Sequence, residues 1–310
     1  MKIALIGLGL TLILSACGNT EPDLGKFKPG LVDSCRAYPQ FLSKTGLSMP
    51  IAFDSRQQGY VGLRLLQTSS GQFWADPTWD DAGHIGAFAR DKAGNVYIAP
   101  APEINLHGNP PALQNRIYKI DTQTGQMQLW LALPAAKLPT ANNPFGVMGL
   151  FYDCDTNSLY ASSVASSEPT QILGRLYRID LNTQKIADQI EQVDAIGIGV
   201  FNDLQHKRLY FGSARSSDVY SLLLDANGNF TQQVRHEFAL ALLPNGNSSS
   251  ARKIIFTQNR QGQFALNIKE TEFGFRLTAE NNPVRRTYHF IYDVNNNKWH
   301  YSHNALETGE

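Results

Sequence analysis

The sequence predicts an all-β chain folded as a β-propeller of four-stranded antiparallel blades, and three observations predict it. A hairpin pattern recurs five times along the chain. A second strand–turn–strand pattern precedes four of those hairpins. The composition of the 310 residues suits short strands and tight turns, with 25 Gly, 15 Pro, 16 Phe and 12 Tyr. Charged residues are 17% against 42% hydrophobic, which argues against disorder. Lys plus Arg is 27 and Asp plus Glu is 27, so no net field favours nucleic acid as a partner. The composition also excludes a coiled coil, a collagen and a multi-span membrane protein.

At the N-terminus, Lys2 supplies a positive charge and Ile3–Leu14 form an apolar run of 12 residues. That run is too short to cross a bilayer as a helix and suits a secretory segment. Leu14, Ser15, Ala16 and Cys17 resemble the bacterial lipobox, whose cysteine is acylated and becomes the new N-terminus. Residues 1–16 are therefore expected to be a lipoprotein signal peptide, removed on maturation, with Cys17 as the lipid attachment. An ordinary signal peptide that ends near a cysteine is the plainer alternative. Acyl chains contribute about 0.8 kcal/mol per buried methylene, so a multiply acylated Cys17 would anchor the protein to the membrane firmly. Gly18 stands where well-studied lipoproteins of the inner membrane carry Asp, which favours the outer membrane of the cell envelope. Residues 17–30 read as a flexible tether, because 18–30 hold three Gly, two Pro and no apolar periodicity. Residues 31–310 are then a single propeller domain.

Setting Cys17 aside leaves Cys35 and Cys154 in an oxidising compartment. Either they form a disulfide that staples the N-terminal segment to the middle of the chain, or they are two separate buried thiols.

The hairpins are Leu63–Trp74, Ile117–Trp130, Leu176–Ile186, Tyr220–Phe230 and Phe290–Trp299, each an alternating strand, a polar turn and a second strand. Their first strands end at Gln67, Asp121, Asp180, Asp225 and Asp293, at intervals of 54, 59, 45 and 68 residues. The preceding pattern appears at Gly86–Tyr97, Gly149–Tyr160, Gly199–Tyr210 and, more loosely, Ile255–Phe264. Together they make units of four strands, the period of propeller blades. Five blades are expected, with residues 31–56 supplying the inner strands of the first, and six is the alternative. Gly86, Gly146, Gly149, Gly197 and Gly199 would suit the crowded axis. Tyr97, Tyr118, Tyr160, Tyr177, Tyr210 and Tyr220 would fill the wider gaps between blades. Pro100–Asn115, Ser163–Gly174 and Leu243–Ala251 read as rim loops, where propellers carry function.

Phe88–Tyr97, Tyr118–Asp121 and Tyr177–Asp180 resemble bacterial propellers of the NHL and gluconolactonase/regucalcin-like superfamily, over most of residues 84–240. The resemblance implies blade geometry first. In its lactonase members a Glu, an Asn and an Asp converge on a divalent cation such as calcium at the axis. Asn143 and Asp194 would meet two of those roles, and blade one has no counterpart of the Glu. Such a site would polarise a carbonyl and activate a water.

Other chemistry is sparse. Standard metal, nucleophile and phosphate-loop motifs are absent from the sequence. Asp153–Asn157 begins like a calcium loop, but Ser158 and Val164 stand where Gly and Glu belong, so it reads as a turn. Asp293–Asn297 reads likewise. His107 falls in a rim loop, and His300 and His303 near a solvated terminus. His84, Asn143, Asp194 and Arg252 precede or begin successive inner strands and could face an axial mouth. His84 and Asp194 are the candidate catalytic groups, Asn143 and Arg252 candidate ligand or channel residues. Two function classes follow. The favoured one is an envelope lipoprotein whose propeller binds a protein, a glycan or a small ligand. The alternative is a metal-dependent, lactonase-like hydrolase, or a lyase, with its site at the axial mouth.

Overall fold

A computed structural model describes residues 27–57, 59–103, 109–277 and 285–306. The signal peptide, Cys17 and His107 lie outside the described residues. After a short β1 (Gly30–Leu31), five antiparallel sheets follow one another. Blade 1 holds β2 (Ile51–Asp54), β3 (Arg64–Gln67) and β4 (Phe73–Trp74). Blade 2 holds β5 (Ile85–Arg90), β6 (Val96–Pro100), β7 (Arg116–Ile120) and β8 (Met127–Ala132). Blade 3 is β9 (Val147–Asp153), β10 (Ser158–Ser163), β11 (Arg175–Asp180) and β12 (Lys185–Glu191). Blade 4 is β13 (Ala195–Asn202), β14 (Lys207–Ser213), β15 (Asp218–Leu224) and β16 (Phe230–Ala239), with β1 added against β13. Blade 5 is β17 (Ser250–Gln258), β18 (Phe264–Thr271), β19 (Arg286–Asp293) and β20 (Lys298–Leu306). The protein is a five-bladed β-propeller, and each expected hairpin forms the outer pair of a blade.

The tight turns explain why the repeats fold alike. Asp91 Oδ1 accepts the N–H groups of Ala93 and Asn95, both at 2.9 Å. Asp225 holds Asn227 and Asn229 in the same way, and Asn259 holds Gln261 and Gln263. A side chain that mimics a backbone acceptor closes each turn. Gly94 sits within the first at φ 88°, a conformation that other residues adopt only under strain.

Blade 1 departs from expectation, with three strands instead of four. Of residues 31–56 only Ile51–Asp54 form a strand of blade 1. Pro39 and Pro50 remove backbone donors on either side of a 3-10 turn, Gln40–Lys44, which breaks any second ladder. The segment runs instead as a strap beneath the other blades. Gly30 and Leu31 pair with Asn202 and Phe201, Cys154 N–H donates to Val32, Ala37 N–H to Asp91, and Phe41 N–H to Thr122. Residues 27–30, at the end of the expected tether, already belong to it. A disulfide between Cys35 and Cys154, 119 residues apart, fastens the strap to the turn after β9. A cross-link of that span stabilises by up to about 4–5 kcal/mol on the chain-entropy account.

Hydrophobic clusters join neighbouring blades. Leu63, Leu65, Trp79 and Ile98 lie between blades 1 and 2, and Tyr97, Ile117, Tyr152 and Tyr177 between 2 and 3. Tyr160, Leu176, Val200 and Leu209 lie between 3 and 4, and Phe201, Tyr210, Phe256 and Tyr288 between 4 and 5. The tyrosines expected between blades are there. Among the described residues no cluster joins blade 5 to blade 1.

Candidate functional site

The inner strands β5, β9, β13 and β17 stand side by side around the axis. Glycine permits this closeness. A Cβ on Gly197 would lie 2.6 Å from the Arg252 carbonyl oxygen, and one on Gly149 would lie 3.0 Å from that of Ile196. The strands enclose an axial channel of about 1100 Å³. Among the described residues of blade 1, Ser55 reaches its wall.

The strap crosses one end. Asp33 and Arg36 line the channel there, with Arg36 Nη2 2.9 Å from Asp33 Oδ2. Burial pushes the Asp33 carboxyl above the ordinary carboxylate range, and the Arg36 charge opposes that only in part. Behind the strap, Lys207 Nζ donates to both oxygens of Asp153 and to Asp155 Oδ2, each at 2.9 Å. The loop with calcium-like spacing is therefore a turn whose carboxylates hold an ammonium. The Phe27 ring, 4.6 Å away, covers it.

The other end opens among the long connections between strands. Phe145 and Phe273 pack there with ring centroids 5.1 Å apart. The start of β17 lies beside the end of β18, Ser250 opposite Thr271. This corner brings Arg252, Lys253, Arg276 and Arg285 to the channel with Glu272. Counting the strap pair, the described lining carries five cations and two carboxylates. Between the ends the wall is apolar, with Phe88, Met148, Phe151, Ile196, Ile198 and Ile255.

Of the four residues expected at the axial mouth, only Arg252 lines the channel. His84 does not. Its backbone N–H donates to Asn109 Oδ1 at 2.7 Å, and its ring turns to the next connection, Nδ1 lying 3.4 Å from Glu103 Oε2. Asn143 and Asp194 are drawn together, but as fasteners of the 163–174 loop. Asn143 Nδ2 donates to the carbonyls of Val164 and Ser167. Asp194 Oδ1 accepts from Ser167 Oγ and from the Gly174 N–H, and Arg215 Nε lies 2.6 Å from Oδ2. With an amide and a guanidinium already on the carboxylate, the pair does not fit a divalent cation. Among the described residues no three His, Cys, Asp or Glu side chains are placed to hold a metal ion. His300 pairs with Asp293 at 3.4 Å, and His303 stacks on His289.

Sequence reasoning missed Lys253, Arg276, Arg285 and the strap pair. On β17 a signal existed: Lys253, Ile255 and Thr257 are exposed and alternate with buried Ile254 and Phe256. Arg276 sits in a connection without periodicity, and no local pattern marks it.

No known protein family matches this chain. No curated protein matches it either. Among solved structures it is similar to the endo-arabinase of Bacteroides thetaiotaomicron, with 8% identity, TM-score 0.44, and 73% of this chain and 80% of that one covered. A protein of unknown function from Bacteroides caccae gives 8%, 0.42, and 81% and 71%. The GH93 α-L-arabinofuranosidase of Fusarium graminearum gives 11%, 0.42, and 75% and 68%. At such scores the likeness carries no argument about activity.

Proposed function

We propose that the protein is a binding module for a small ligand taken into the axial channel, and that acyl groups on Cys17 hold it at a bacterial envelope membrane. The observation that carries the binding reading is the channel itself. It is about 1100 Å³, crossed by a disulfide-fastened strap at one end and open among long loops at the other. Apolar walls with a few polar groups at one mouth are the usual make-up of a small-ligand site. A glycan or protein surface would call for more hydrogen-bonding side chains along the wall than Met148, Ile196 and Ile198 supply.

The test is a titration with the neutral fluorescent probe N-phenyl-1-naphthylamine. Saturable binding by the native protein, lost in Ile255→Trp with the circular dichroism spectrum retained, is the expected result. Binding unaffected by that obstruction would place the site elsewhere. Anchoring is tested by labelled palmitate, whose incorporation should vanish in Cys17→Ser.

One observation favours a second reading, a hydrolase or lyase. His84 faces Glu103 at 3.4 Å, both partly exposed, an arrangement able to orient an imidazole as a base. Turnover of any lactone or ester that is abolished by His84→Gln would support it.

A further inference from the structure

We infer that the Cys35–Cys154 disulfide is a redox latch on the strap end of the channel. The latch rests on the channel being the binding site and adds how exchange of its ligand is regulated. With the bridge intact the strap closes that end; with the bridge reduced, the end becomes an entrance. Asp33 and Arg36, which line the channel, stand on either side of Cys35. Among the described residues, the bridge is the one covalent or hydrogen-bonded tie between residues 33–36 and the blades. Cys35 N–H donates to Cys154 Sγ at 3.1 Å, within the bridge itself. The other bonds of this stretch are internal. Arg36 N–H and Nε donate to the Asp33 carbonyl, and Arg36 Nη2 lies 2.9 Å from Asp33 Oδ2.

The flanks of the stretch hold without the bridge. Cys154 N–H donates to the carbonyl of Val32, a buried residue, and Ala37 N–H donates to that of Asp91. Between these anchors Ser34, Cys35 and Arg36 are exposed, so moving them uncovers no core. The bond from Arg36 N–H to Asp33 folds the stretch into a turn, and a turn holds spare length that extended chain does not. Unlatched, the turn swings outward while both anchors stay. Segments with exposed side chains and few bonds to the body open most cheaply. The chemistry is thiol–disulfide exchange with a dithiol reductant. Cys35 is exposed and Cys154 half-buried, so a thiolate of the dithiol attacks Cys35 Sγ. The S–S bond breaks with its electron pair on Cys154, whose thiolate faces the Cys35 N–H and then takes up a proton. The second thiol of the reductant attacks its own sulfur in the mixed disulfide and releases Cys35, which is protonated in turn. Two protein thiols form, and the dithiol, having given two electrons and two protons, becomes a cyclic disulfide.

The experiment follows release of N-phenyl-1-naphthylamine from the full chain by stopped flow, before and after reduction with dithiothreitol. Reduction should speed release about tenfold, since gates of this kind set exchange rates. The equilibrium affinity should stay within about twofold, because an added entrance speeds entry and exit alike. The double variant Cys35→Ser, Cys154→Ser should release at the fast rate without reductant, and dithiothreitol should not change it. Hydrogen exchange supplies the local readout. On reduction the amides of Cys35 and Arg36 should lose protection, while those of Ala37 and Phe41, bonded to Asp91 and Thr122, should keep theirs. Unchanged release from a protein whose Cys35 and Cys154 titrate as free thiols overturns the latch. Faster release with exchange at Ala37 and Phe41 also overturns it, for the bridge is then a staple of the whole strap. In both cases the channel stands as a binding site. Failure of the probe to bind the oxidised protein overturns the channel reading, and the latch with it.

Discussion

Lys207 is fully buried between Asp153 and Asp155, and its removal strands charge. Burial already pushes the Asp153 carboxyl above its ordinary value, against the pull of Lys207. Lys207→Met should therefore lower stability by about 3–5 kcal/mol, the usual consequence of breaking a buried pair. Adding Asp153→Asn should recover much of that loss, and urea denaturation of the single and double variants measures both. Asp33 gives a cleaner pH effect. Its carboxyl, mainly through burial, titrates above the model-peptide value of 3.8, so the folded protein holds that proton more tightly than the unfolded chain. The stabilisation this supplies is complete below pH 3.8 and is lost as pH rises through the elevated folded value. Asp33→Asn removes the titration. Its urea midpoint should match that of the native protein in acid, exceed it increasingly as pH rises, and hold a constant lead at neutrality. A lead that shrinks with rising pH would contradict the burial of Asp33. These two residues also mark the limit of what the sequence tells. Asp91 and Asp225 announce their turns because their partners lie within four positions. Lys207 stands between His206 and Arg208 and reads as a solvated strand start, since its carboxylates arrive from 54 and 52 positions away.

Among the elements, the inner strands were legible and the strap was not. A strand that packs edge-on against its neighbours around an axis needs small residues, and the glycines of β9 and β13 fall within strand periodicity. The strap has no period to detect, because the strand it pairs with lies in blade 4 and its proline positions forbid a continuous ladder. The same contrast explains the candidate site. Small residues foretell where backbones converge, but the side chains facing the channel depend on which connections reach the mouth, and residues 272–277 follow no repeat. The convergence can be tested at Gly197. Its Cβ would meet the Arg252 carbonyl at 2.6 Å, and backbone in two paired sheets cannot retreat easily. Gly197→Ala should lose about 1–3 kcal/mol through overpacking. Gly274→Ala, whose Cβ finds its nearest neighbour at 3.9 Å, should change stability by no more than about 0.5 kcal/mol. Calorimetric midpoints of the pair decide the matter. Equal midpoints would mean that the β13–β17 junction has room to spare.

For the molecule as a whole, blades 1 and 5 resemble the end units of a row, since among the described residues no hydrophobic cluster spans the two. In a row each unit is held by its neighbours, and an end unit by one neighbour alone. Blades 2, 3 and 4 each share a hydrophobic cluster on both faces. Blades 1 and 5 share one each, yet they are not equivalent ends. Blade 5 has strands of eight and nine residues, and its cluster includes Phe201, Tyr288 and Phe290 in full burial. Blade 1 has three strands of four, four and two residues. Its outward side leaves Phe73 62% exposed, beneath the Arg64 guanidinium. Local opening is cheapest where few apolar contacts and few ladder bonds must break. Native-state hydrogen exchange should accordingly rank the blades. Amides of β2 and β3 should exchange first, those of β17–β20 next, and those of β9–β10 and β13–β14 only with global unfolding. Because Ser55 is the one described residue that blade 1 supplies to the channel wall, its early opening should leave probe binding intact in mild denaturant. Protection of β2 and β3 equal to that of β13 would contradict this ranking.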